Sequence, residues 1–308
     1  MASHAAAAPS LRAAPARRRL ERASRRVRSR KSLRWSSAAR TAAARTRALA
    51  TSDPPRTDKK VVVVTGGARG IGAACCLLLA RKGWAVAINH RASSAEAAEA
   101  LARTIREEGG DAMTALADVG VEADVVRMFE TVAAWGPLAG LVNNAGVLFG
   151  PNGSKTVADA DAADLEAIFR VNALGPVLCT REATRYMSVK SGGGGGSIVN
   201  VSSGSAVIGR PLLYAMSKGA LNSFQAGAVD ELAAHGIRIN SVSPGMTNTE
   251  LVADVVPTFD FSKIPLGRIG EPEEIAEGVA FLLGETGSYC SGANIRIAGG
   301  RPPGTFLG

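Results

Sequence analysis

The sequence predicts an α/β protein with a single doubly wound parallel sheet flanked by helices. Short apolar runs of strand length alternate with longer helical stretches from residue 60 onward, which is the pattern of consecutive strand-helix-strand units. The first run, Val61 to Val64, contains only β-branched apolar residues and is typical of a strand that is buried on both faces. In a sheet of this kind, ligands bind beyond the carboxyl ends of the strands.

The predicted elements alternate in order along the chain. The strands are predicted at residues 61–64, 84–89, 112–117, 138–142, 197–201, 237–242 and 293–298. The helices are predicted at residues 73–80, 93–108, 121–135, 161–190 and 213–234, with a last one from 272. We expect an interruption of the long helix near Gly175-Pro176, because proline cannot donate a helical hydrogen bond. Five glycines at 192–196 predict a flexible, exposed linker.

A glycine-rich turn joins the first strand to the first helix, with the spacing Gly66-x-x-x-Gly70-x-Gly72. Glycines at such a turn let the backbone approach a pyrophosphate, while the N–H groups of the helix N-terminus point at the negative charge. A P-loop would need Lys followed by Ser or Thr after the last glycine, and neither is present. Taken alone, the turn is equally consistent with a tight structural connection.

Tyr214 and Lys218 are four residues apart within the predicted helix at 213–234. Residues with this spacing lie on the same face of a helix, so the ammonium of Lys218 should stand beside the Tyr214 phenol. A nearby positive charge favours the phenolate and lowers the pKa of tyrosine from about 10. The pair therefore predicts a general acid of the kind that a carbonyl group needs when it takes up hydride.

Taken together and in this order, the motifs resemble those of the short-chain dehydrogenase/reductase family, from about Lys60 to Arg301. The motifs are the glycine turn at 65–72, Asp118-Val119, Asn143-Asn144-Ala145-Gly146, Asn172, Ser202-Ser203, Tyr214-x-x-x-Lys218, and Pro244-Gly245 with Thr249. The resemblance implies a Rossmann-type catalytic domain at 58–308. It also implies a homotetramer or homodimer that reduces a ketone or aldehyde to an alcohol with a nicotinamide cofactor.

The resemblance also assigns roles to four catalytic residues. Tyr214 would be the general acid, and Ser203 would bond the substrate carbonyl. Lys218 would also hold the nicotinamide ribose, and Asn172 would order a water that leads protons to Lys218. In many relatives the serine lies further from the tyrosine than Ser203 does, so Ser202 is an alternative and Ser205 a third candidate.

NADP(H) is the cofactor that the sequence favours. The segment at 88–94, which follows the second strand, has no acidic residue to accept from a ribose 2′-hydroxyl, but it holds Arg91. Arg69 in the glycine turn is a second cation, and a guanidinium binds phosphate with paired hydrogen bonds. Both arginines can equally be read as solvated surface residues, and His90 as a residue of the rim. With the resemblance, the cofactor-binding residues are Gly66, Arg69, Gly70, Ile71, Gly72, Arg91, Asp118, Val119, Asn143, Ala145, Gly146, Tyr214, Lys218, Pro244, Gly245 and Thr249.

The N-terminal segment at 1–57 differs in composition from the rest. Through Lys60 the chain holds seventeen Lys and Arg against three acidic residues, whereas the remainder is net negative. A basic segment rich in Ala, Arg and Ser is typical of an organelle transit peptide, and we expect it to be disordered. The expected destination is the plastid, with the mitochondrion second and the cytosol third. Nucleic-acid binding, nuclear import and a start codon placed too early are the alternatives.

Several other classes of protein are disfavoured. The four cysteines are not spaced as a disulfide framework, and we expect them to be small buried hydrophobes. The three histidines have no metal-ligand spacing, so no metal is expected. Ser203 lacks the Gly-x-Ser-x-Gly context of a serine hydrolase. No run of about 18 apolar residues predicts a membrane span.

The substrate is less well defined by the sequence. The segments at 264–268 and 288–292 resemble 3-oxoacyl-acyl-carrier-protein reductases, and 291–301 resembles sugar and aldehyde reductases. For a carrier protein, Arg181, Arg185 and Lys190 are candidate contacts beside the cleft, or else a solvated helix face. The apolar segment at 250–263 is expected to cover the substrate. A catalytically idle NADP-binding protein is the alternative from another class.

Overall fold

The computed structural model describes residues 56–150, 152–253 and 259–301. The strands are β1 Val61–Val64, β2 Ala85–His90, β3 Asp111–Leu116, β4 Leu138–Asn143, β5 Gly196–Val201, β6 Ile237–Pro244 and β7 Asn294–Ile297. The helices are α1 Gly70–Arg81, α2 Ala95–Glu107, α3 Glu122–Trp135, α4 Ala162–Phe169, α5 Gly175–Met187, α6 Ser205–Ile208, α7 Leu212–Ala233 and α8 Pro272–Leu283. All strands are parallel, in the order β3-β2-β1-β4-β5-β6-β7. The predicted doubly wound sheet is confirmed.

The sheet is buried on both faces, as the valine run predicts. All four side chains of β1 are fully buried, and successive residues of a strand point to opposite faces. Val61 and Val63 pack with α3, α5 and α7, whereas Val62 and Val64 pack with α1, α2 and α8. Because each buried valine contributes roughly 1.5 kcal/mol or more, the hydrophobic core fixes the position of the strand ends that carry the site.

The long predicted helix is interrupted by a π-helical segment, Arg170–Leu174, which lies between α4 and α5. The interruption begins five residues before the predicted Gly175-Pro176. Pro176 has no N–H to donate to the Asn172 carbonyl four residues earlier, and Gly175 N–H donates instead to the Arg170 carbonyl. Single π turns of this kind frequently occur at functional sites, and Asn172 lies within this one.

The glycine run at 192–196 is a packed turn, so the expectation of an exposed linker is wrong for part of it. Gly195 is buried, and its N–H donates to the Met187 carbonyl at 2.7 Å. A Cβ at Gly193 or Gly196 would come within 2.5 Å of neighbouring backbone. These glycines are needed where the end of α5 passes close to the start of β5.

Of the basic residues proposed for a carrier protein, Arg185 and Lys190 lie near the amino ends of the strands, opposite the cleft, whereas Arg181, midway along α5, pairs with Glu122 in the first turn of α3. Arg185 and Lys190 flank Met187, which contacts the start of β5, and six residues of strand span about 20 Å. Arg181 and Arg185 both pair with the buried carboxylate of Glu182. None of the three residues lines the cleft, so the expectation that they border it is wrong, and α5 carries Arg185 and Lys190 away from it.

Thr57 belongs structurally with the sheet. Its hydroxyl donates to Asp111 Oδ2 at 2.8 Å, and its N–H donates to the Trp135 carbonyl at 3.0 Å. A domain boundary drawn after residue 57 would cut these contacts. The predicted transit-peptide segment otherwise lies outside the described residues, except for Arg56.

Candidate active site

A cleft of about 350 Å³ lies at the carboxyl ends of the strands. It includes the point where β1 and β4 are neighbours and the strand order reverses, which is where ligands bind in open α/β sheets. The glycine turn follows β1, and Asn144, Ala145 and Gly146 follow β4. From the other side, Ser203, Tyr214 and Lys218 line the same cleft.

The glycine turn has a shape that only glycine readily adopts. Gly66 and Gly70 have positive φ angles of 60° and 53°, in the region that other residues avoid. A Cβ on Gly72 would lie 2.3 Å from the Gly66 carbonyl oxygen, so Gly72 lets α1 pack on the turn and does not line the cleft. The first turn of α1 has no acidic residue, and Gly70 and Ile71 line the cleft. This cradle fits an anionic pyrophosphate.

A hydrogen-bond network that the sequence analysis did not assign holds the turn in place. The Asn144 side chain donates to the carbonyls of Thr65 and Gly66 at 2.9 and 3.1 Å. Asn89 Oδ1 accepts from the Gly66 N–H at 3.2 Å. Thr65 Oγ1 accepts from the N–H groups of Asn144 and Ala145 at 2.9 and 3.0 Å. The ends of three strands, β1, β2 and β4, therefore brace one loop, and Asn144 belongs to the Asn143-Asn144-Ala145-Gly146 motif.

Asn143 lies beneath the wall of the cleft and not on it. It is 2% exposed, and its Nδ2 donates to Asn200 Oδ1 at 2.9 Å and to Thr180 Oγ1 at 3.3 Å. The structure therefore does not place this residue beside a cofactor. Of the predicted Asn143–Gly146 border, the last three residues line the cleft.

Arg69 and Arg91 are both exposed, and both line the cleft beyond the ends of β1 and β2. Arg69 precedes α1, and Arg91 follows β2 directly. Asp118 and Val119, after β3, also line the cleft, as do Pro244 at the end of β6 and Gly245 and Thr249 beyond it. His90 lines it too, and its Nδ1 interacts with the Arg91 carbonyl at 3.0 Å.

The side chains of Tyr214 and Lys218 lie on one face of α7, as their spacing predicts. Lys218 Nζ is 5.7 Å from the centroid of the Tyr214 ring and donates to the Val201 carbonyl at 2.7 Å. Burial lowers the pKa of Lys218 to about 8. Burial also raises the pKa of the Tyr214 phenol, and a hydrogen bond with Ser203 offsets part of this effect. The sequence predicts that Lys218 lowers the pKa of Tyr214, but the pKa is raised, because desolvation has the larger effect.

The structure distinguishes among the three candidate serines. Ser202 is buried, and its hydroxyl donates to Asn222 Oδ1 at 2.6 Å. Ser203 has the hydrogen bond with Tyr214 and accepts from the Ser205 N–H at 3.1 Å. Ser205 lines the cleft at the start of α6, a short helix that we did not predict. Ser203 is therefore the serine whose side chain is hydrogen-bonded to Tyr214.

Asn172 is fully buried behind the catalytic face and does not line the cleft. Its Oδ1 accepts from the Val147 N–H at 2.9 Å, and its Nδ2 donates to the Val147 carbonyl at 2.9 Å and to Ser217 Oγ at 3.0 Å. Ser217 lies between Tyr214 and Lys218 on α7. The side chain of Asn172 thus connects the π-helical segment, the loop after β4 and the catalytic helix.

The substrate side of the cleft is apolar with a basic rim. The apolar residues are Leu148, Phe149, Ile208, Met246, Leu251 and Val252. Arg210, Arg296 and Arg301 also line the cleft, and we did not single them out as site residues. Of the predicted substrate-covering segment at 250–263, residues 254–258 lie outside the described residues.

Other kinds of site are not found in the described part of the chain. Over these residues there is no cluster of three or more His, Cys, Asp or Glu suited to a metal ion. No described helix is long and apolar enough to cross a membrane. Cys75, Cys76 and Cys179 are buried thiols, and burial raises the pKa of Cys75 to about 12, so they act as small hydrophobes.

A Rossmann-type sheet with a glycine turn and a serine beside a buried tyrosine and lysine defines a nucleotide-dependent oxidoreductase. Residues 60–259 match the short chain dehydrogenase family. The chain is 41% identical over 253 residues to an uncharacterized oxidoreductase of Escherichia coli, YgfF, covering 78% of this chain and 99% of that protein. The protein therefore belongs to the short-chain dehydrogenase/reductase family, whose members use NAD or NADP.

Two further relatives are informative. Cis-4-hydroxycyclohexanecarboxylate dehydrogenase of Sinomonas cyclohexanicum is 37% identical over 249 residues, covering 79% of this chain and 96% of that protein. The crystal structure of a short-chain dehydrogenase from Burkholderia cenocepacia, in complex with NADP, is 31% identical with a TM-score of 0.72. It covers 80% of this chain and 99% of that one.

Proposed function

We propose that the protein is an NADPH-dependent oxidoreductase that reduces a ketone or aldehyde to an alcohol, with Tyr214 as the general acid. The observation that carries this proposal is the meeting of Tyr214, Ser203 and Lys218 with the glycine turn in one cleft. A protein that only binds the cofactor has no need of a buried phenol in contact with a serine hydroxyl. The catalytically idle alternative is therefore the weaker one.

Each residue has a distinct role in the proposed reaction. When bound, the nicotinamide supplies hydride to the carbonyl carbon. Ser203 donates a hydrogen bond to the carbonyl oxygen, and Tyr214 transfers its phenolic proton to that oxygen as negative charge develops there. Lys218, held by the Val201 carbonyl, places a positive charge beside the phenolate that remains. Asn172 orients this face of α7 through Ser217.

The choice of NADPH over NADH is supported by the charges at the end of β2. Arg91 lines the cleft there and Arg69 lines it from the glycine turn after β1. The strand β2 ends in Asn89 and His90, neither of which supplies a carboxylate for a ribose hydroxyl. Asn89 is in any case occupied by the glycine turn and by the carbonyls of Ala115 and Ala117. The relative from Burkholderia cenocepacia, which binds NADP, also supports this choice.

Consumption of NADPH tests the proposal directly. We expect oxidation of NADPH with at least one carbonyl compound in a panel of small ketones, aldehydes, free sugars and a 3-oxoacyl thioester. The apolar walls of the cleft favour an apolar carbonyl over a free sugar. A clear preference for the thioester would instead support the 3-oxoacyl-carrier-protein alternative. Binding of NADPH without turnover of any compound would support the idle binder.

We further propose that the basic segment at 1–57 is a plastid transit peptide and that the enzyme is a homodimer or homotetramer. The composition of the segment supports the first point. Mass spectrometry of the protein from its native cell should find a new N-terminus near residues 50 to 58. An intact N-terminus would contradict the import proposal, and a monomer by light scattering would contradict the oligomer.

A further inference from the structure

A second group of arginines lies at the substrate end of the cleft. Arg296 is on β7, Arg301 follows that strand, and Arg210 precedes α7. Arg69 and Arg91, the cations expected at the cofactor, follow β1 and β2. Five strand spacings separate β2 from β7, about 24 Å. The two groups of arginines therefore face different parts of whatever fills the cleft.

Arg301 has a buried donor that no described residue satisfies. Its Nε is buried and lacks a hydrogen-bond partner among the described residues. The guanidinium lies 5.7 Å from the Phe259 ring, a cation–π contact that helps to fix its plane. Because an unsatisfied buried donor costs free energy, its position on the cleft wall is suited to an acceptor that a molecule bound in the cleft would supply.

Arg296 adds a second permanent charge beside Arg301. Its Nη2 donates to the Arg301 carbonyl at 2.6 Å, which ties the strand to the turn that carries Arg301. Within the described ranges neither arginine forms an ion pair with an acidic residue. Among the described residues of the cleft, Asp118 is the only acidic one, and it lies beyond β3 at the opposite end. Arg296 and Arg301 therefore bring two positive charges to this end that no acidic residue of the described ranges offsets with an ion pair.

The same end has apolar walls, formed by Leu148, Phe149, Leu251 and Val252. Apolar walls favour a hydrocarbon chain or ring, and a planar guanidinium matches a carboxylate with two parallel hydrogen bonds. We propose that the substrate is an apolar oxo acid, with its carbonyl at Tyr214 and its carboxylate bound by Arg301. This inference rests on the proposed carbonyl reduction. The carbonyl carbon gains hydride from NADPH and the oxygen gains the Tyr214 proton, so the product is the hydroxy acid and NADP⁺.

Matched pairs of acids and esters test this assignment. We would measure kcat/KM for NADPH oxidation with 4-oxopentanoate, 4-oxocyclohexanecarboxylate and the methyl ester of each. In at least one pair, kcat/KM for the acid should exceed kcat/KM for its ester by about tenfold or more, the effect expected of a hydrogen-bonded charge pair. Arg301→Gln should lower kcat/KM for that acid by about 10- to 100-fold and change that of the ester by no more than about twofold. Arg301→Lys should retain part of the preference, since lysine keeps the charge but not the fork.

The control is Arg103→Gln, at an exposed position of α2. It should leave kcat/KM unchanged for both the acid and the ester. Activity on the ester shows that each variant is folded. Equal rates with acid and ester, or an equal loss of both in Arg301→Gln, would overturn the oxo-acid assignment and leave carbonyl reduction intact. Preference for 3-oxobutanoyl-coenzyme A over every acid would also overturn it, in favour of a thioester. No turnover of any carbonyl compound by an enzyme that binds NADPH would overturn both proposals.

Discussion

The side-chain amide of Asn172 donates a 3.0 Å hydrogen bond to the hydroxyl of Ser217, the residue that precedes Lys218. Ser217 in turn donates to the Tyr214 carbonyl at 2.7 Å. The same amide group makes two hydrogen bonds to the backbone of Val147, in the loop after β4. One buried side chain therefore sets the distance between the loop after β4 and the helix that carries the proton donor.

Replacement of Asn172 by alanine should affect stability and catalysis together. The variant leaves the N–H and C=O of Val147 without their partner, and we expect a loss of about 2–3 kcal/mol in the free energy of unfolding, with kcat lowered at least tenfold. Urea denaturation and steady-state rates measure the two effects. Ser217→Ala removes one of the three Asn172 bonds together with the bond to the Tyr214 carbonyl, and should cost about 1–2 kcal/mol. If Asn172→Ala has the same stability and kcat as the unaltered protein, the positioning role of Asn172 is contradicted.

Cofactor preference should depend on Arg91. Arg91→Gln removes one of the two exposed guanidinium groups expected at the cofactor, so we expect kcat/KM for NADPH to fall about tenfold. The value for NADH should change by no more than about twofold, because NADH carries no 2′-phosphate. Arg103→Gln serves as the control at an exposed site outside the cleft. Comparable efficiency of the unaltered enzyme with both cofactors would refute the preference.

The rate of reduction should fall as the pH rises through about 8. Burial lowers the pKa of Lys218 to about 8, so its ammonium is present below that pH and lost above it. The pKa of Tyr214 is raised, which keeps the phenol protonated and able to donate over the neutral range. We expect kcat/KM to be level below about pH 7 and to decline above pH 8, since this parameter reports groups of the free enzyme. A profile that stays level to pH 9.5 would show that the charge on Lys218 is dispensable.

The same pKa has a consequence for stability. Because the pKa of Lys218 in the folded state is below its unfolded value, the folded protein binds fewer protons between about pH 8 and 10.5. Stability contributed by this residue therefore increases with pH across that window. The sign is opposite to that of a lysine in a favourable ion pair.

Removal of the basic segment should leave the enzyme intact if the cut falls before Thr57. A protein lacking residues 1–55 keeps both hydrogen bonds of Thr57, so its activity and melting temperature should equal those of the full chain. A protein lacking 1–57 loses the bonds to Asp111 and Trp135 and should be about 1–2 kcal/mol less stable. Loss of activity in the shorter deletion would favour a working role for the basic segment.

Local patterns made much of the fold predictable. The β1 valine run, the glycine turn and the spacing of Tyr214 and Lys218 each depend on residues that are close in sequence, and the predicted strand ends agree with those observed within about two residues. The exceptions are also local in cause. The π segment around Asn172 and the four-residue helix α6 have no periodic pattern long enough to identify them.

Residues brought together only by the topology could not be assigned. Asn144 reaches Thr65 across 79 residues of sequence, and Asn89 reaches Gly66 across 23. The position of Arg301 on the cleft wall depends on β7 lying beside β6 at the end of the sheet. Conversely, the resemblance to carrier-protein reductases predicts Arg185 beside the cleft, but α5 runs from the cleft toward the amino ends of the strands and carries it away.

The central claim is that Tyr214 gives its proton to the substrate. Tyr214→Phe removes only the phenolic oxygen, so we expect turnover to fall at least about 100-fold, while the dissociation constant for NADPH changes by no more than about threefold. Tyr186→Phe alters a half-exposed tyrosine on α5 and should leave both quantities unchanged. The measurement is NADPH oxidation paired with fluorescence titration of NADPH on the two variants. Retained turnover in Tyr214→Phe, or loss of NADPH binding, would contradict this assignment of the proton donor.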